Sequence, residues 1–154
     1  MTKGLYTLLF SILSLNMVAQ CPTGEVEVTI DVTTDSYGNE GYWQLVPSGN
    51  NCGAGTIFFG GNNLVGCSGG SQQASPTGGY ANNTTISTGP WCLTQGASYQ
   101  IIFVDDYGDG GFRFQVNIGG FPMYTGLTGT GAAAGTRLTF VAEPPPPYDM
   151  SCQS

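Results

Sequence analysis

From Glu25 to Val32 the chain alternates without a break. Val26, Val28, Ile30 and Val32 fall on one side, and Glu25, Glu27, Thr29 and Asp31 on the other. A period of two over eight residues predicts a strand with one buried and one solvated face. Shorter apolar stretches at Tyr42–Val46, Thr56–Phe59, Tyr99–Val104, Phe112–Ile118 and Arg137–Val141 predict further strands, separated by clusters of Gly, Asn, Ser and Pro that break the chain into turns. No window carries a helical period of 3.6. Six to nine short strands at this spacing predict an all-β fold, an antiparallel β-sandwich of jelly-roll-like type spanning residues 20–142.

One segment occurs twice. Thr34 to Val46 aligns without gaps onto Val104 to Val116, at an offset of seventy residues. Asp35/Asp105, Tyr37/Tyr107, Gly38/Gly108, Gly41/Gly111 and Val46/Val116 are identical; Asn39 answers Asp109, and Tyr42 answers Phe112. Each copy follows an apolar strand and precedes an aromatic one. Two copies are too few for a solenoid and predict a pseudo-symmetric pair of Asp/Gly turns between strands.

Two readings of this turn stand side by side. Asp and Asn hydrogen-bond to backbone groups two residues on, and Gly takes a positive φ without steric cost, so the motif works as a self-capped turn. Equally, Asp105, Asp106 and Asp109 place three carboxylates within five residues beside Gly carbonyls, a donor set suited to Ca2+. Asp105, Asp109 and Gly110 match positions one, five and six of an EF-hand loop. Position three is Tyr107 and position twelve is Val116, which excludes that motif itself. The first copy, with Asp35, Asn39 and Glu40, is a weaker version of the same set.

The chain's start reads as an address. Lys3 precedes an apolar run from Leu5 to Leu15, and Met17-Val18-Ala19 ends in a small residue, the three parts of a signal peptide over residues 1–19. The apolar run is shorter than the roughly 20 residues a membrane helix needs, and no later stretch reaches that length. A lipoprotein cleavage before Cys21 would need a small residue where Gln20 stands. Secretion makes disulfides the default for the five cysteines. Cys52 and Cys67 bracket a Gly/Asn-rich stretch and are the first pair expected. Cys21 and Cys92, each just before a similar strand, are the second. Cys152 is left over, a candidate for an intermolecular bridge. It lies in a Pro-rich segment, 143–154, whose Pro144–Pro147 run reads as a tail, a stiff linker or an arm that docks on a neighbouring copy.

Composition narrows the function. There is no histidine, so no Ser-His-Asp or Cys-His machinery and no His-ligated zinc. The net charge is −7, and −8 once the leader takes Lys3 away and leaves Arg113 and Arg137 against ten acids. Nucleic acid is therefore excluded as a partner. Pairs such as Asp35 with Glu40, or Asp105 with Asp109, have the residue types of a glycoside hydrolase, but they sit in Gly turns where no apolar pocket is expected to raise a pKa. The chain reads as a non-enzyme. Tyr37, Tyr80, Trp91 and Tyr107 are candidate binding-surface residues, suited to stacking on sugar rings beside acidic loops. Trp43 and Phe112 are expected to point inward.

Cys21-Pro22-Thr23-Gly24-Glu25, the segment from Thr34 to Trp43, and Cys92-Leu93 leading into Asp106-Tyr107-Gly108-Asp109-Gly110 together resemble a secreted β-sandwich module of Bacteroidetes-type extracellular proteins, with paired TDxYGxExxW and CL…DxYGDG motifs. The resemblance covers about residues 21–142. Ala97-Ser98 and Gly111-Phe112 stand where such modules often carry Cys or Trp, so it brings no disulfide to the second turn. It implies a surface or extracellular role beside adhesion modules or secreted hydrolases, and no chemistry of its own. The expectation is a secreted, calcium-stabilised adhesion module whose partner is an extracellular glycan or protein. The alternative is a structural subunit of an extracellular filament, assembled from identical copies through its C-terminal arm.

Overall fold

The computed structural model describes residues 21–70, 76–128 and 136–146. The expected signal peptide and Cys152 lie outside the described residues. Within them every regular element is a strand: β1 (Glu25–Thr33), β2 (Gly41–Pro47), β3 (Phe58–Gly61), β4 (Thr85–Thr94), β5 (Ser98–Asp105), β6 (Arg113–Ile118), β7 (Phe121–Thr128) and β8 (Thr136–Val141). They form two antiparallel four-stranded sheets, β4-β1-β6-β7 and β3-β2-β5-β8. The fold is an antiparallel β-sandwich, as the strand pattern predicts.

The core lies between the sheets. Val28, Ile30 and Val32 of β1 are fully buried and meet Trp43 and Leu45 of β2, Ile101 and Phe103 of β5, and Phe114, Val116 and Ile118 of β6. Trp43 and Phe112 point inward as expected, at 0% and 1% exposure. Their aromatic rings form one connected group: Trp43 meets Phe114 edge-on at 5.6 Å, and Phe112 stacks on Phe103 at 5.0 Å.

β2 and β5 do not alternate, because both of their faces are covered. Tyr42, Val46, Ile102 and Val104 point away from the main core and form a second cluster with Val65, beside Cys52 and Cys67. The segment between β2 and β3, with the loop beyond β3, roofs this outer face. Two buried glutamines tie the roof down. Gln44 accepts at Oε1 from Gly53 N at 2.7 Å, and Gln100 Nε2 donates to the Asn50 carbonyl at 2.5 Å. The Arg137 guanidinium adds bonds to the Asn50 carbonyl and Asn51 Oδ1.

Both expected disulfides are present. Cys52–Cys67 closes the roof, and Cys21–Cys92 joins the start of β1 to edge strand β4. β4 and β7 are strands the sequence pattern does not predict. Each contains a proline, Pro90 and Pro122, that reads as a break, and each lies at an edge of its sheet, where a missing N–H leaves no ladder bond unmade. β3 begins two residues later than expected.

Replacing Cys52 and Cys67 together by Ser should lower the unfolding free energy by about 3 kcal/mol, the chain-entropy value for a fifteen-residue closure. Urea unfolding reads the loss. A change under about 1 kcal/mol would mean that Gln44, Gln100 and Arg137 hold the roof without the bridge.

Candidate metal centre

The two repeated turns both cross between the sheets, in opposite senses. The first leads from β1 to β2 and the second from β5 to β6, and β2 and β5 pair with Gly41 opposite Asp105. The turns are therefore neighbours at one end of the sandwich. Asp106 N donates to the Glu40 carbonyl at 2.9 Å, one backbone bond from turn to turn.

Repeat-equivalent residues do equivalent work. Asp35 Oδ1 accepts from Tyr37 N at 2.8 Å, and Asp105 Oδ1 accepts from Tyr107 N at 3.3 Å. The second turn is capped more fully, since Asp105 Oδ2 also accepts from Gly108 N at 2.9 Å and Gly110 N at 2.6 Å. The first leans on its neighbours instead: Gly38 N donates to Asn82 Oδ1, and Asn83 N to the Asp35 carbonyl.

The shared glycines lock each copy against the other. A Cβ on Gly41 would lie 2.3 Å from Phe112 Cζ, and one on Gly111, whose φ is +119°, would lie 2.9 Å from Asp35 Oδ2. Only a residue without a side chain permits either approach.

This interlock converges three carboxylates. One ligand oxygen each from Glu40, Asp105 and Asp109 lies within 4.8 Å of the other two. The sequence suggests a set of acids in each turn; the structure draws one acid from the first turn and two from the second. Asn39 is turned away, its Nδ2 donating to the Pro76 carbonyl. Asp35 is exposed and rests on Gly111, while Asp106 is buried; neither belongs to the converging trio.

Glu40 is the unusual member. It is 6% exposed, and among the described residues no donor reaches its carboxylate. No fully buried side-chain oxygen of the described residues lacks a hydrogen bond, so the unpartnered oxygens of Glu40 must open on the cleft it lines. Burial, then the charges of Asp105, Asp109, Asp35 and Asp106, push its pKa from 4.5 up to about 7. Burial also raises Asp105, against the three backbone N–H groups that favour its charged form. The expectation that no burial in these Gly turns raises a pKa is thus corrected for Glu40 and Asp105, both of which are buried at this end of the sandwich.

The cleft over the trio has a volume of about 210 Å³ and is lined by Glu40, Asp109, Tyr37 and Tyr107. The two tyrosines are 57% and 43% exposed. Tyr80 and Trp91 are placed differently. Both are half-buried on the core, Tyr80 stacked on Phe112 at 5.9 Å and Trp91 against Phe58 at 5.1 Å. Compared with the models of known protein families, with curated proteins and with solved structures, the chain finds no match.

Because folding raises the Glu40 pKa, its contribution favours the fold below about 4.5 and is lost as pH rises through about 7. In EDTA, Glu40→Gln should melt above the wild-type protein at pH above 7 and together with it near pH 4. Equal melting curves at every pH would show that the cluster carries no such repulsion.

Proposed function

We propose that this protein is a secreted, non-catalytic adhesion module whose twin turns are held together by Ca2+ and present a binding surface at that end of the sandwich. The observation that carries the reading is the convergence of Glu40, Asp105 and Asp109, with Glu40 buried and unpartnered. Three carboxylates this close repel one another, and a hard dication reverses the sign of the interaction. All three offer oxygen only. Calcium's six to eight positions tolerate an irregular set of this kind, whereas magnesium demands a regular octahedron and keeps its waters.

Several facts support the wider reading. The two disulfides fit an oxidising compartment. No helix of the described residues is long and apolar enough to cross a membrane. A mature charge of −8 disfavours anionic partners such as nucleic acid, and the aromatic rim of the cleft suits a neutral extracellular one. The non-catalytic reading rests on the absence of histidine and on a third carboxylate where acid–base chemistry uses two.

Calcium at a hundredfold excess over its Kd should stabilise the fold by about 2.7 kcal/mol, seen as a higher melting temperature that EDTA reverses. Magnesium should give a smaller shift, and Asp109→Asn should abolish the calcium response. Identical melting in calcium and EDTA would reduce the twin turns to self-capped loops.

A further inference from the structure

The calcium reading leaves the ligand unnamed, and the cleft narrows it. Three carboxylates supply three to six of calcium's oxygens, depending on how many bind through both atoms. Asp105 has little left to give, because its Oδ2 already accepts two N–H groups and its Oδ1 one. Turn carbonyls and water can complete the shell on the protein side, and the positions that face the open cleft are left for a ligand from outside. Of the three, Glu40 and Asp109 line the cleft, Glu40 buried and Asp109 exposed, while Asp105 is buried behind them, so an ion held by the trio would be reached from the cleft.

What fills that mouth must meet three conditions. It must not be anionic, since three carboxylates outweigh one dication and the charge of Asp35 also acts at the site. It must offer neutral oxygens, preferably two side by side on one rigid frame, because a chelating pair loses less freedom than two separate donors. It must also present flat apolar faces, because Tyr37 and Tyr107, at identical places in the two turns, both line this cleft and both keep much of their surface in solvent. A pyranose satisfies all three, with adjacent hydroxyls on one edge and C–H faces that pack on aromatic rings. A peptide carbonyl offers one oxygen and no such face.

Resting on the calcium reading above, we propose that the cleft between the twin turns binds a neutral pyranose, two adjacent hydroxyls coordinated to the ion held by Glu40, Asp105 and Asp109, and the ring packed against Tyr37 and Tyr107. Binding is then calcium-dependent and selects the configuration of the hydroxyl pair.

The test uses the folded, disulfide-bonded protein and a panel of methyl glycopyranosides that differ in that configuration, displayed on a multivalent surface. At least one should bind in calcium, none in EDTA, and its fully O-methylated counterpart in neither. Tyr37→Ala and Tyr107→Ala should each weaken binding about tenfold, roughly 1.4 kcal/mol, while leaving the calcium-induced rise in melting temperature in place. Asp109→Asn should remove both responses. If calcium raises the melting temperature and no glycoside binds, the sugar site is overturned and the calcium reading stands. Binding that persists in EDTA, or with the O-methylated sugar, also overturns it. If calcium has no effect on stability, the underlying reading fails, and the sugar site fails with it.

Discussion

The arrangement at the acidic end depends on the pairing of β2 with β5. That ladder sets Gly41 opposite Asp105 and so delivers the last residue of one turn to the first residue of the other. A shift of one residue would turn Glu40 to the opposite face and separate it from Asp105 and Asp109. The same ladder sorts Trp43, Leu45, Ile101 and Phe103 into the main core, and Tyr42, Val46, Ile102 and Val104 under the disulfide-closed roof. Because both faces of the pair are buried, slippage would drive Trp43 and Phe103 into the roof and turn Gln44 and Gln100 away from the Gly53 and Asn50 backbone groups they bind, into the main core. The register of the carboxylates is thus enforced by hydrophobic burial rather than by the carboxylates themselves, which repel.

A chain this poor in charge could have scattered its ten acids for solubility. Five instead lie in the two turns, and burial of Glu40 magnifies what they do to one another. Such a cluster is a local weakness in an otherwise consistent fold, and positions of that kind are where function is expected to lie. The burial that leaves Glu40 little exposed beyond the cleft is also what would make a cation there effective, since screening by solvent falls with burial.

The inward stripe of β1 was legible because its outer face is solvated and the period of two survives. β2 and β5 were recognisable as strands, but their double burial was not, since the roof that covers them contributes little apolar sequence beyond Val65 and the cystine. β4 and β7 were hidden by prolines that only an edge position explains. The twin turns could be read as twins. The trio could not, because its members come from both copies and meet through strand register. A signal was nonetheless present in the differences between the copies. Asn39 faces Asp109 in the alignment, and Glu40 faces Gly110, so each copy carries an acid where the other carries none. Complementary rather than duplicated acids are what one shared site requires. Tyr37 and Tyr107, identical in both copies, are the pair that lines it.

The proline-bearing edge strands have a consequence for colloidal behaviour. With 40% hydrophobic and 8% charged residues, and half of the ten acids gathered in the two turns, few charged side chains are left to guard the sheet edges. An open sheet edge would template pairing with another chain. The β4-β1-β6-β7 sheet carries Pro90 on one edge and Pro122 on the other. The second sheet ends on one side in β3, four residues long with two of them glycine. Interruption of the backbone ladder thus does for these three edges what lysine does in more highly charged β-proteins, and it lets the molecule keep a hydroxyl-rich surface with few charged side chains.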